Sequence, residues 1–130
     1  MTVSASPHAA RAHAVRLTVT LRYEMQCSYP GAGPLVVTFP STLKLPQRFV
    51  AGAVELSGKP TAATVKGQQV IVTIPRHKGL LCDLMGPGSL TLTFTHAAKL
   101  ANPARAGSYS FKASHGKRTF TAKLAVKPAS

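Results

Sequence analysis

The chain has 130 residues, which is enough for one domain with a hydrophobic core and too few for two. Sixteen lysines and arginines against three acidic residues give a formal charge of +13. This charge favours anionic partners, although solubility alone also explains it. No apolar run is long enough to cross a bilayer, so the sequence predicts no membrane span. The sequence has only three carboxylates that could act as acid or base, and it has no motif of a catalytic nucleophile. We therefore predict that the protein is not an enzyme.

Residues 1–14 show no apolar periodicity and are predicted to be a disordered tail. Within them, Ala12-His13-Ala14 fits the small-x-small pattern of a signal-peptidase site, although no hydrophobic h-region precedes it. We therefore hypothesise that residues 1–14 are a signal-peptide remnant and that the mature, exported protein begins at Val15. Residues 15–127 then form the single domain, and residues 128–130 a short C-terminal tail.

Alternation of apolar and polar residues predicts a series of short strands. The first covers residues 15–23, with Val15, Leu17 and Val19 on its inner side. Others are predicted at residues 35–39, 54–56 and 69–74, in two alternating runs within residues 89–114, and in a final run that includes Phe120, Ala122, Leu124 and Val126. Residues 66–67, Lys-Gly, predict a hairpin turn before the strand at 69–74. Seven or eight strands without a long amphipathic helix indicate an all-β, antiparallel two-sheet sandwich.

Several segments resemble a family of bacterial immunoglobulin-like sandwich modules found in secreted, cell-wall and S-layer-associated proteins. The matching segments are LVVTFP at 35–40, LP at 45–46, VELSGKP at 54–60, QVIVTIP at 69–75 and LTFTHAAKLANPARAGSY at 92–109. The resemblance implies Greek-key connections, a structural or adhesive role and no catalytic residues. It also implies that Asn102-Pro103 and Gly107-Ser108-Tyr109 shape the loop between two core strands. The chain departs from the family pattern in its cysteine pair, its single copy and its strong basicity.

The two cysteines, Cys27 and Cys82, belong to no CxxC motif. A disulfide between them would close a loop of roughly 55 residues and stabilise the fold by about 4 kcal/mol in the chain-entropy model. We predict this disulfide because the other signs indicate export; a pair of free buried thiols is the alternative.

Two further groups of residues lie near the cysteines. Glu24 and Asp83 would approach each other across a disulfide, as paired glycosidase carboxylates do, but we interpret them as loop acids that offset neighbouring cations. Soft ligands that suit copper also converge if the two loops meet: Met25, Cys27, His77, Cys82 and Met85. Because a disulfide removes both thiolates, we predict no metal site and no cofactor.

Basic residues are the strongest functional signal in the sequence. We expect the first and last strands to lie in or beside the same sheet, which would align a positive stripe along them. The candidate anion-binding residues are Arg16, Arg22, Lys112, Lys117, Arg118, Lys123 and Lys127. The stripe predicts binding to an anionic cell-wall polymer or polysaccharide, with nucleic acid held by phosphate contacts as the alternative. A third interpretation is that these charges only prevent edge-to-edge pairing of strands.

Overall fold

The computed structural model describes residues 1–22, 34–73, 89–115 and 118–128. These residues contain ten strands and one short 3-10 helix, His96–Ala98. The strands are β1 Thr2–Ser6, β2 Arg16–Arg22, β3 Leu35–Thr38, β4 Val54–Leu56, β5 Lys59–Pro60, β6 Ala63–Lys66, β7 Gln69–Val72, β8 Ser89–Phe94, β9 Gly107–His115 and β10 Arg118–Val126.

The strands form two antiparallel sheets of five strands each. The first sheet has the order β1-β2-β8-β4-β5 and the second the order β10-β9-β3-β7-β6. The prediction of an all-β, antiparallel two-sheet sandwich is confirmed. The count of seven or eight strands is too low for the described residues, because β1 lies in the segment predicted to be disordered and β5 has only two residues.

The core lies between the two sheets, as the alternation predicts. Leu17, Val19 and Leu21 of β2 are fully buried, whereas Arg16 is exposed and Thr18 is only partly buried. Phe39 joins the sheets: its ring centroid lies 5.4 Å from that of Phe94 in the first sheet and 4.9 Å from that of Phe111 in the second. Both pairs are edge-to-face, an arrangement worth about 0.5–1.5 kcal/mol beyond the apolar area that it buries.

The predicted disorder of residues 1–14 is wrong. β1 pairs antiparallel with β2 through five residue pairs, Thr2↔Thr20 to Ser6↔Arg16, and buries Val3 against the core. The chain then crosses to the second sheet, where the Ala10 N–H donates to the Lys127 carbonyl at 2.8 Å and the Lys127 N–H donates to the His8 carbonyl at 2.9 Å. Five residues are too few for the alternation of apolar and polar side chains to predict a strand. Only the pairing with β2 identifies β1. Cleavage after Ala14 stays a prediction.

Asn102 holds the N-terminal segment in place. Its side chain is 5% exposed, and its Nδ2 donates to the carbonyls of Pro7 at 2.9 Å and Ala9 at 2.7 Å. Its backbone N–H donates to the Ala12 carbonyl at 2.8 Å. The family resemblance implied only that Asn102 shapes its own loop. In the structure its side chain also donates hydrogen bonds to a segment more than 90 residues away in sequence.

The predicted hairpin at residues 66–67 is confirmed. Strands β6 and β7 are joined by Gly67 and Gln68, and Gly67 has a φ of +63°, a conformation in which glycine has no steric penalty. The Gln68 side chain donates to the carbonyls of Pro40 at 2.8 Å and Leu43 at 3.1 Å, which fixes the segment that follows β3.

Candidate functional site

The structure separates the predicted basic stripe into two parts. β2, which carries Arg16 and Arg22, lies in the first sheet, and β10 lies in the second, so the expectation that these strands share a sheet is wrong. β10 instead lies against β1, the edge strand next to β2. The outer face of the first sheet is largely uncharged. One row across it, for example, reads Ser4, Thr18, Thr93 and Glu55 on successive strands. Arg16 is exposed on this face, at the β1–β2 pairing.

Three predicted anion-binding residues share the outer face of the second sheet: Lys112, Lys123 and Lys127. Lys112 of β9 lies opposite Thr121, and Lys123 of β10 lies opposite Ser110, so the two lysines are diagonal neighbours. Side chains in this relation are about 7–8 Å apart. Lys127 follows β10 and is exposed beside the N-terminal crossing. We call these three residues the lysine face.

Other sequence predictions fall where the structure gives no side-chain description. Arg22 ends β2 and Arg118 begins β10. Lys117, both cysteines, Glu24, Asp83 and the three remaining copper candidates lie outside the described residues. The disulfide, the carboxylate pair and the copper set therefore stay as predictions.

A cleft that the sequence did not reveal lies between two loops at one side of the sandwich. One wall is the segment after β3, which contributes Thr42 and Lys44; the other is the loop between β8 and β9. The cleft consists of two recesses that share Thr42, Pro103 and Ala104. The first recess has a volume of about 300 Å³ and is also lined by Lys44, Lys99, Ala101 and Asn102. The second has a volume of about 270 Å³ and is also lined by Arg105 and Tyr109. We call this site the basic cleft.

Three cations line the basic cleft and are exposed to solvent: Lys44, Lys99 and Arg105. No carboxylate is among the described residues that line it, and the one acidic residue in the described ranges, Glu55, lies on β4 of the first sheet. Cations around a concave surface reinforce one another's potential, so the basic cleft attracts anions. Lys112 and Lys123 of the lysine face also line a recess, of about 410 Å³, so the two sites differ in that the cleft carries three cations and this recess two.

Hydrogen bonds hold the walls of the basic cleft. Lys99 adopts a left-handed conformation, with φ of 54°, and its N–H donates to the His96 carbonyl at 3.1 Å. The Tyr109 hydroxyl donates to the Arg105 carbonyl at 2.5 Å, and the Arg11 N–H donates to the Pro103 carbonyl at 3.1 Å. The 99–105 loop is therefore fixed both by its own strand and by the N-terminal segment.

Sequence reasoning missed this site for a physical reason. Lys99 and Arg105 flank the Asn102-Pro103 break, which is a usable signal for a charged loop. Lys44 lies more than 50 residues earlier, and nothing in its local sequence associates it with that loop. Only the packing of the segment after β3 against the loop after β8 brings the three cations together.

Residues 1–22, 34–73, 89–115 and 118–128 contain neither a group of metal ligands nor a membrane-spanning helix. In those ranges no three side chains among His, Cys, Asp and Glu are grouped so that they could hold a metal ion. The same ranges contain no helix with the length and apolar character that a bilayer crossing requires.

Comparisons with known proteins identify a fold and no family. No family model matches the chain, and no curated protein matches it significantly. The chain is similar to the crystal structure of BslA, described as a bacterial hydrophobin, with a TM-score of 0.61 and 20% sequence identity. The superposition covers 98% of this chain and 94% of that chain. At this identity the likeness concerns the fold alone, and it supports the two-sheet β-sandwich over nearly the whole sequence.

Proposed function

We propose that the chain is an exported, non-catalytic β-sandwich module with a structural or adhesive role that binds anionic cell-envelope polymers by charge. The similarity to a bacterial hydrophobin over almost the full length of both chains supports the fold of such a module, and the observation that carries the binding is the positive charge. The charge of +13 supplies the attraction to anionic polymers. Among the described residues, Val50 is the one large apolar side chain that is exposed, so charge is the surface property on which the proposed binding rests.

The proposal includes an immunoglobulin-like Greek-key arrangement of the strands. The constant-type immunoglobulin fold places strands A, B, E and D opposite C, F and G. Here β1-β2-β8-β4 faces β10-β9-β3 in the corresponding positions, and the β6–β7 hairpin extends the second sheet. The bond from the Tyr109 hydroxyl to the Arg105 carbonyl, at the corner that leads into β9, resembles the tyrosine corner of such folds. Both features support the proposal.

Binding to nucleic acid through phosphate contacts is the second candidate, and it rests on the same positive charge. A salt series discriminates the two. The protein is loaded on immobilised teichoic acid, heparin and duplex DNA, and the salt concentration that elutes it from each is measured. We expect later elution from the anionic glycan polymers than from DNA. Later elution from DNA would favour the second candidate, and no retention on any polymer would contradict both.

Export has a separate test. Protein recovered from its native host is fractionated into cells and medium, sequenced from its N-terminus and assayed for free thiols. The proposal expects protein outside the cell with no free thiol, because a disulfide persists in an oxidising compartment. Cytosolic protein that retains Met1 and two free thiols would contradict it.

A further inference from the structure

We propose that the basic cleft, lined by Lys44, Lys99 and Arg105, binds a carboxylate- or phosphate-bearing sugar unit. This inference rests on the proposed function, since it names the ligand group and moves its binding site from the predicted stripe to a concave surface. None of its three cations belongs to the predicted stripe.

The charges of the cleft define the ligand as an oxyanion. Lys44 and Lys99 line the same recess, and Arg105 lines the adjoining one. Arginine binds the two oxygens of a carboxylate or phosphate with a planar fork, and each lysine acts as a mobile point charge. Among the described lining residues no acid neutralises them, so an anion that enters gains attraction without displacing an existing ion pair.

The remaining lining residues favour a small polar unit that carries the anionic group. Thr42, shared by both recesses, offers a hydroxyl that can donate or accept, and Pro103 and Ala104 form an apolar surface between them. Tyr109 is half-buried, and its hydroxyl donates to the Arg105 carbonyl, which leaves the hydroxyl oxygen able to accept a hydrogen bond. The two adjoining recesses have volumes of about 300 and 270 Å³, which are small for ligand-binding pockets.

The concave shape disfavours duplex nucleic acid. A protein reads a duplex with an element that protrudes into a groove or with an extended surface along the phosphates. A recess between two loops instead admits a group that projects from a flexible polymer or a free small molecule. The lysine face is a different part of the molecule, where Lys112 and Lys123 line a separate recess of about 410 Å³.

The cleft is preorganised, which lowers the entropic cost of binding. Gln68 fixes the wall on both sides of Thr42 through the Pro40 and Leu43 carbonyls. Asn102, at 5% exposed, fixes the floor through Pro7 and Ala9. The ligand therefore meets a site whose backbone is already in place.

The test compares two variants with the same change in charge. The cleft variant is Lys44→Gln, Lys99→Gln and Arg105→Gln; the face variant is Lys112→Gln, Lys123→Gln and Lys127→Gln. All six side chains are exposed, so both variants are expected to fold, and matching circular dichroism and melting temperatures verify this. Binding of trigalacturonate, glucose 6-phosphate and neutral maltotriose is measured at low ionic strength by calorimetry and by amide chemical shifts in NMR.

We expect one or both anionic probes to shift the amides of residues 42–44 and 99–105, and the tighter of the two identifies the anionic group. The affinity should fall at least tenfold in the cleft variant and less than threefold in the face variant, while maltotriose should not bind. Equal losses in both variants would show a net-charge effect and overturn the proposal, as would equal binding of maltotriose or shifts confined to β9 and β10.

Failure of this inference is distinguishable from failure of the proposed function. Suppose that the cleft variant binds both probes as tightly as the unmodified chain, while the face variant loses retention on teichoic acid. The cleft is then excluded as the binding site, and the proposed function stands. If the unmodified chain is retained on no anionic polymer, the proposed function itself is contradicted.

Discussion

Asn102 is a buried polar residue whose role depends on a distant segment. Its Nδ2 satisfies two carbonyls of the N-terminal crossing, and within the described part of the chain its buried Oδ1 accepts no hydrogen bond. A buried amide with one satisfied end is tolerated when the bonds that it does make position a whole segment. Here they position residues 7–12 against the loop that forms the basic cleft.

Replacing Asn102 should therefore loosen the N-terminal segment. Asn102→Ala leaves the Pro7 and Ala9 carbonyls unsatisfied, at a cost of about 1–3 kcal/mol, towards the lower end because the unsatisfied Oδ1 is removed as well. Asn102→Asp should cost more, since it directs a carboxylate at two carbonyl oxygens. Urea denaturation measures both changes. Ser110→Ala, on an exposed position of β9, is the control and should stay within about 0.5 kcal/mol of the original. An unchanged midpoint for Asn102→Ala would contradict the anchoring role.

Phe39 is the residue that most directly links the two sheets. It contacts Phe94 in one sheet and Phe111 in the other and is 2% exposed. Phe39→Ala should lower the free energy of unfolding by about 3–5 kcal/mol, because it removes a large buried side chain and leaves a cavity. Chemical denaturation gives this value, and Val50→Ala, at a 60% exposed position, is the matched control. A loss as small as that of the control would contradict the packing between the sheets.

At the scale of elements, β1 is the edge strand of the first sheet and separates β2 from that edge. It covers the outer edge of β2, and the segment that follows it bonds to the end of β10. If the mature chain begins at Val15, this strand is absent and the backbone groups of β2 are open to pairing with another chain. The signal-peptide hypothesis therefore removes residues 1–14 from the mature protein, whereas in the structure the same residues form part of the sandwich.

Two deletions separate the contributions of this segment. Removal of residues 1–14 should cost about 3 kcal/mol or more, from the burial of Val3 and the bonds of Asn102, and should promote dimers or larger species. Removal of residues 1–6 keeps the Pro7 and Ala9 acceptors and should cost less. Denaturation and size-exclusion chromatography measure stability and association. If the chain that starts at Val15 is as stable and as monomeric as the full chain, β1 contributes nothing to the sandwich.

For the whole molecule, the balance of charge opposes folding through self-repulsion. One small domain carries sixteen cations and three acids. Salt screens such repulsion over a Debye length of about 10 Å at 0.1 M ionic strength. The protein should therefore become more stable as salt is added, the reverse of a protein held by surface ion pairs.

Thermal melts in increasing sodium chloride test this expectation. A gain of about 1 kcal/mol corresponds to a rise in melting temperature of about 3–5 °C for a chain of this size. The cleft and face variants defined above each carry three fewer positive charges and should show a smaller rise than the unmodified chain. A melting temperature that falls with salt would mean that attractive charge pairs dominate.

Local pattern determined the sandwich itself. The alternation in residues 15–23 and 89–94, and in the runs that contain Phe111 and Leu124, predicts strands with one buried face, because a period of two residues suffices to place side chains on opposite sides of a sheet. The turn at Gly67 was likewise predictable, since the required backbone conformation is a property of that residue. The positive charge and its bias towards anions also follow from the sequence alone.

The tertiary structure decided which of these elements are neighbours. β1 forms a strand because it pairs with the edge of β2 and because Asn102 holds the segment that follows it. Neither contact can be predicted from residues 1–14 alone. Arg16 and Lys123 lie in opposite sheets because strand order depends on how the chain crosses between layers. For the same reason Lys44 meets Lys99 and Arg105 only in the folded protein. Local pattern specifies which face of a strand is buried, whereas a site assembled from distant loops exists only after long-range packing has brought those loops together.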